Sequence, residues 1–214
     1  MTVTQKVLAC IFLVILFVVI NILFFYLAKK LMLDGKNYSD LKDIEHFIEQ
    51  AKADNQKSLE KAANHLKKFS LDKKIVSLEG SCVSTEDTAV FLNCEKSKIA
   101  KTMAFDNGEF SFLLLASDIF HISRKKLKNE FGKKTKLVKE NELEEITGYS
   151  YSRLCPFDSN FLPVYVDESL KDLDFVYVYS GNYDNVVKLT QSELIRATNF
   201  EKWVDVTKRK NRAD

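Results

Sequence analysis

Apolar residues run almost unbroken from 7 to 28, VLACIFLVILFVVINILFFYLA, and Asn21 is the only strongly polar side chain among them. As a helix rising about 1.5 Å per residue, this stretch would cover roughly 33 Å, enough for a bilayer core. A cleaved signal peptide has a shorter apolar core of about 7–15 residues and small residues before the cut. Here the run ends Tyr26-Leu27-Ala28-Lys29. The expectation is a single-pass membrane anchor in residues 1–32, with 7–28 in the lipid bilayer. Lys29, Lys30, Lys36 and Lys42 outweigh Lys6 and the α-amine, so the positive-inside rule places the C-terminal part in the cytoplasm.

The pattern then changes period. Leu41, Ile44, Phe47, Ile48 and Ala51 fall at helical spacing in an otherwise polar segment, which predicts a helical stalk or linker over 33–56. From residue 57 short elements alternate. KSLEKAANHLKKF reads as a helix and KIVSLE as a strand, and Ser84 and Thr85 are placed to cap the short helix TEDTAVFLN. KIAKTMAF and EFSFLLLA flank Asp106-Asn107-Gly108, a hairpin signal because Asn and Gly tolerate positive φ. SRKKLKNEF and ENELEEI read as helices, FVYVYS and VVKL as strands. Thr190-Gln191-Ser192-Glu193 is a capping box opening another helix. Interleaving of this kind predicts one α+β domain over 57–208 and a charged tail over 209–214.

The composition fits that picture. Of 214 residues, 46% are hydrophobic and 29% charged, which excludes a chain disordered throughout. The formal net charge of +2 excludes a wholesale basic protein but not a local basic patch. Cys10, Cys82, Cys94 and Cys155 include no C-x-x-C pair, so neither a disulfide framework nor a zinc signature is present.

Backbone-bending residues are scarce, six glycines and two prolines in all, yet Gly148 and Pro156 share the stretch TGYSYSRLCPF at 147–157. Such a stretch is either an ordinary surface turn or a shaped loop that holds binding chemistry. Candidate nucleophiles are few. His46 and His65 sit on predicted helices, Asp118 and His121 read as surface polarity, and Cys155 reads as a small loop residue rather than a nucleophile.

IAKTM at 99–103, TGYSYSRLCPF at 147–157, LPVYVDESL at 162–170, YSG at 179–181 and LTQSELIRAT at 189–198 stand in an order that resembles the YbaK/prolyl-tRNA-synthetase-associated domain family. Its members hydrolyse wrongly charged aminoacyl-tRNAs. The resemblance covers about 57–206 and implies an α+β fold, a mixed, curved β-sheet approaching a barrel with surrounding helices. It implies a deacylase without metal or organic cofactor. Its partners would be mischarged aminoacyl-tRNA, with an aminoacyl-tRNA synthetase as a further candidate.

The resemblance also assigns residues. Lys101 matches the family's pocket lysine, although a lysine interrupting a strand reads equally as a solvent-facing side chain. Thr102 stands beside it. The family loop T-G-x-x-x-G-x-x-x-P matches Thr147, Gly148 and Pro156, with Ser152 in place of the second glycine. Backbone amides there would stabilise an oxyanion, and Ser152, carrying a Cβ, alters how they are presented. Asp167 would orient a substrate amine or cap the next turn, and Ser180 and Gly181 match a family turn. Arg124, Lys125, Lys128, Lys133 and Lys134, with Lys126 and Lys136, face one acid, Glu130; they form a tRNA-backbone patch or a solvated helical face. Two functions follow: a membrane-anchored trans-editing deacylase, or a non-catalytic tethered module binding tRNA or a synthetase.

Overall fold

The computed structural model describes residues 38–78 and 84–209. Two compact units divide the chain, Met1–Lys52 and Ala53–Asp214. The described part of the first belongs to helix α1 (Tyr38–Lys67), which continues into the second.

The expectation of a transmembrane helix is corrected. Residues 7–28 lie outside the described residues, and among those described no helix is long and apolar enough to cross a membrane. The longest, α1, carries charged side chains on almost every turn, and each would be costly in hydrocarbon. The bilayer partner, the membrane anchor and the single-pass localisation are withdrawn with it.

The second unit is a mixed sheet with helices on both faces. Its strands are β1 (Ile75–Ser77), β2 (Ile99–Asp106), β3 (Ser111–Ser117), β4 (Phe120–Ile122), β5 (Lys136–Leu137), β6 (Val164–Asp167), β7 (Val176–Tyr179), β8 (Asn185–Leu189), β9 (Phe200–Val204) and β10 (Thr207–Arg209). The helices are α2 (Thr85–Phe91), α3 (Arg124–Phe131), α4 (Glu140–Thr147) and α5 (Gln191–Ala197). Strand order is β1-β8-β7-β2-β3-β6-β9, and β10 pairs with β4 in a separate ribbon. Among the described residues the path is open, with β1 and β9 at its edges.

Alternation along β3 builds the two sides of the core. Leu113 and Leu115 face one cluster, with Ala62 and Leu66 of α1, Leu143 of α4 and Leu194 of α5. Phe112 and Leu114 face the other, with Leu127 and Phe131 of α3. There Phe112 stacks on Phe131 at 4.2 Å, and Tyr165 meets Phe131 edge-on at 4.7 Å. The caps are as expected: Ser84 with Asp87 and Thr190 with Glu193 each close a capping box.

One feature of β2 positions the site. Its first edge is paired by β3 along its length, from Ala100 opposite Ser117 to Asp106 opposite Ser111. Its second edge is shared: β7 takes Ile99 and Ala100, and β5 takes Phe105 and Asp106. Val138 continues the β5 side by donating its amide to the Ala104 carbonyl at 3.0 Å, so β7 and β5 part, and the sheet forks, at residues 101–103.

Candidate functional site

A cavity of about 620 Å³ opens at this fork, and Lys101, Thr102, Met103 and Ala104 of β2 form one wall. Consecutive side chains of a strand point to opposite faces, so it is the open edge of β2 at the fork that brings all four residues to the gap. The opposite sides come from Ser84 and Thr85 at the start of α2, from Leu137, Val138 and Leu143, from Tyr151 and Leu154, and from Tyr179 and Tyr183.

The cavity is polar at one end and apolar at the other. Tyr179 follows Val178, the partner of Ala100, so it stands beside Lys101. The Lys101 ammonium lies 3.6 Å from Asp118 Oδ1 and donates to the Phe120 carbonyl at 3.3 Å. The Tyr179 hydroxyl shares a hydrogen bond of 3.2 Å with Thr88 Oγ1, and its ring meets Tyr183 edge-on at 5.4 Å. About 10 Å along β2 from Lys101, Ala104 shares a core cluster with Val138, Leu143 and Leu154, and Leu137 also lines the cavity. At the rim Tyr151 is 62% and Tyr183 52% exposed. Among the described residues no cluster of three or more His, Cys, Asp or Glu side chains is placed to hold a metal ion.

The structure brings Lys101 and Thr102 together with two residues of the 147–157 loop, Tyr151 and Leu154. Ser152 sits in a 3₁₀ turn, Tyr151–Arg153, whose backbone angles L residues adopt without strain. Gly148 caps α4 at φ +71°, and the Lys61 ammonium bonds its carbonyl at 3.3 Å. Thr147 is buried and ties the loop inward, donating to Leu143 O at 2.8 Å and accepting from the Tyr149 amide at 3.1 Å. Pro156 is buried beneath the loop, away from the cavity wall. Cys155 beside it is fully buried, and burial pushes its thiol up to about 11, which leaves it a packed thiol rather than a nucleophile.

Asp167, Ser180 and Gly181 hold the frame and do not line the cavity. Asp167 is buried; its Oδ1 accepts from the Ser169 amide at 2.9 Å and from Thr207 Oγ1 at 2.8 Å, and its Oδ2 from the Val206 amide at 2.9 Å. This is the capping role, and it fastens β10 to the end of β6. Asp167→Asn keeps only one carbonyl acceptor, so unfolding free energy should fall by about 2 kcal/mol, read as a lower urea midpoint. Ser180 is buried with its amide on Asn185 O at 2.9 Å. Gly181 holds φ +80° against the backbone of α1 at Ser58.

Arg124, Lys125 and Lys128 are exposed along α3, and Lys133, Lys134 and Lys136 continue the basic surface into β5. Glu130 is matched by Lys202 of β9 at 2.6 Å, and Lys126 by Asp205 at 2.6 Å. The basic run therefore leads along the chain into Leu137 and Val138 of the cavity wall. Asp118, Tyr151, Tyr179 and Tyr183 were not expected as site residues. Tyr151 and Tyr179 lie within the motifs at 147–157 and 179–181, and the hairpin register, which puts Asp118 two residues beyond the partner of Lys101, could have pointed to Asp118.

The model of the aminoacyl-tRNA editing domain matches residues 79–197, more than half of the chain. The uncharacterised protein YwhH of Bacillus subtilis (strain 168) is 30% identical over 153 residues, covering 71% of this chain and 98% of YwhH. A solved structure described as a proposed trans-editing enzyme for prolyl-tRNA synthetase superposes with a TM-score of 0.65 at 23% identity, covering 71% of this chain and 97% of its own. A scaffold protein used to present grafted epitopes matches with the same TM-score at 21% identity and the same coverage. These two likenesses concern the fold. By the match of its own sequence across the fork, the loop and the closing helix, this chain belongs to the aminoacyl-tRNA editing domain family.

Proposed function

We propose that the protein is a trans-editing deacylase that hydrolyses the ester of a mischarged aminoacyl-tRNA, with residues 57–208 as its catalytic domain. The observation that carries this reading is the placement of Lys101 on the wall of a cavity, at its polar end, within an editing-domain fold.

The chemistry asks little of the side chains. Water adds to the aminoacyl carbonyl carbon, the bond from that carbon to the ribose oxygen breaks, and the proton lost by water ends on the ribose oxygen. The products are a free amino acid and a tRNA with its terminal hydroxyl restored. The ester is already activated and a vicinal ribose hydroxyl can assist the water, so positioning and oxyanion stabilisation suffice. Lys101 holds the terminal ribose, its phosphate or the carbonyl oxygen, and Thr102 stands beside it. The turn Tyr151–Arg153 with Leu154 presents backbone amides to the developing oxyanion, and the apolar end around Leu137, Val138 and Leu143 receives the amino-acid side chain.

The tested system is the full chain with a panel of mischarged tRNAs, beginning with tRNAs for proline because a structural neighbour is described as acting with prolyl-tRNA synthetase. Release of the amino acid from one or more of them is the expected result; a panel left intact, in the presence of folded protein, overturns the reading. The non-catalytic alternative rests on Ser152 in place of the family's second glycine and on the loose match of the YSG turn, and the same panel decides between the two.

The exposed basic run is assigned to the tRNA backbone. Lys125→Ala with Lys128→Ala should weaken tRNA binding alike for every sequence and reduce the slope of log affinity against log salt by about 1.5 to 2. Filter binding between about 50 and 200 mM salt checks this, and an unchanged slope assigns the run to a solvated face.

A further inference from the structure

The polar end of the cavity contains more charge than Lys101 alone. Asp118 lies between two lysines: Oδ1 is 3.6 Å from Lys101 Nζ, and Oδ2 is 3.3 Å from Lys96 Nζ. Lys96 is paired in turn with Glu86 on α2, whose first residue Thr85 lines the cavity. Partial burial works against the Lys96 ammonium, but its hydrogen bonds to Glu86 and Asp118 outweigh that and raise its pKa, so it stays charged.

Asp118 is itself fixed from several sides. Its amide donates to the Ile99 carbonyl at 3.0 Å. Neighbouring Ser117 donates its hydroxyl to Ser97 O at 2.8 Å and its amide to Ser169 Oγ at 3.2 Å. The connection from β3 to β4 therefore presents two acceptors to the Lys101 head, the Asp118 carboxylate and the Phe120 carbonyl. A long flexible ammonium loses rotamer freedom when held this way, before substrate arrives.

The Asp118 carboxylate is divided between two lysines, so it does not pair with Lys101 alone. Asp118 with Lys101 alone would present no net charge to an anionic or carbonyl oxygen. With Lys96 on its other oxygen the Asp118 carboxylate is shared; Glu86, the second acid of the group, is 65% exposed and solvated, and Lys101 is the member on the cavity wall beside Thr102 and Met103. At 3.6 Å the Lys101 contact is looser than a direct hydrogen bond, so the ammonium can re-aim at a substrate oxygen while staying near the carboxylate.

We infer that Asp118, backed by Lys96, is a positioning residue for the deacylation reaction: it holds the Lys101 ammonium at the cavity wall and acts only through it. The inference rests on the deacylase reading above.

A double-mutant cycle tests it. Asp118→Asn in the full chain should lower kcat/KM about tenfold, and in the Lys101→Ala background the same change should cost less than about twofold. Asp118→Glu should recover part of the loss, since it restores a carboxylate within reach of both lysines. Losses that multiply in the double variant, or no rescue by glutamate, mean that Asp118 supports the fold and overturn the inference. A second measurement does not need catalysis: trace acetylation with acetic anhydride, read by mass spectrometry. Asp118→Asn should raise labelling of Lys101 relative to wild type and leave Lys74, bound by Glu193 elsewhere, unchanged. Unaltered Lys101 labelling also overturns the inference. Wild-type protein that cleaves no ester would sink the deacylase reading itself, and the acetylation comparison would still decide whether Asp118 holds Lys101.

Discussion

Lys101→Ala is expected to lower kcat/KM for aminoacyl-ester hydrolysis by about 10²–10³, the loss typical of removing one preorganised stabiliser of a developing oxyanion. The fold should survive it. The Lys101 side chain is 30% exposed, opposite Ala116 on β3, and its head sits in the cavity rather than in the core. Truncation leaves Asp118 with Lys96 at 3.3 Å, so no carboxylate is stranded alone. The urea midpoint should therefore stay close to wild type while turnover collapses. Single-turnover hydrolysis at saturating tRNA, beside an unfolding curve, checks both halves. A variant that keeps its rate removes Lys101 from the chemistry and returns it to the plain reading of a lysine at a strand edge.

The second large effect concerns stability. Gly181→Ala should destabilise the fold by about 3 kcal/mol, combining the strain of a left-handed backbone with a clash against main chain. A Cβ at this position, where φ is +80°, would sit 2.4 Å from the Ser58 carbonyl oxygen and 2.6 Å from its carbon. Backbone of α1 cannot swing aside as a side chain can, so the helix and the turn after β7 must separate. Gly148 makes the contrast. Its φ of +71° is similar, but the nearest obstacle to a Cβ is the Lys61 ammonium at 2.5 Å, the far end of a flexible side chain. Gly148→Ala should cost only about 1 kcal/mol. Equal shifts in urea midpoint for the two would show that strain alone decides, and that α1 yields at Gly181.

This gives the YSG turn a different job from the one its resemblance to the family suggested. Gly181 is where α1 touches the sheet, and Ser180 is buried beside it. Tyr179, one position earlier, faces the cavity. The turn matters to the site by aiming Tyr179 and admitting α1.

Local chemistry made much of the fold legible. Ser84 and Thr190 announced their helices because an N-cap oxygen and a carboxylate three residues on satisfy each other's amides without help from the rest of the chain. The hairpin of β2 and β3 was legible for the same reason: Asn107 and Gly108 supply the turn, and Asn107 Oδ1 accepts from the amides of Glu109 and Phe110 at 2.9 and 3.0 Å. Strands β4, β5, β9 and β10 were not read as such. They are two to five residues long, too short to show a period along the chain, and become strands only because a distant partner offers a ladder.

The sequence by itself determined the alternation of short helices and strands, the capped starts, the hairpin, and the ordered motifs that place the chain in an editing family and single out Lys101. Each rests on contacts within a few residues, or on a pattern that survives without coordinates. The tertiary structure alone decided that β7 and β5 part at residues 101–103, opening a cavity in the sheet. It decided that Asp118, which reads as surface polarity along the chain, stands between Lys96 and Lys101. It also decided that Asp167 and Gly181 serve the frame and not the cavity. The physical reason is the same throughout: a side chain's role here is set by which distant backbone lies against it, and that follows from strand order and register, which no local pattern encodes.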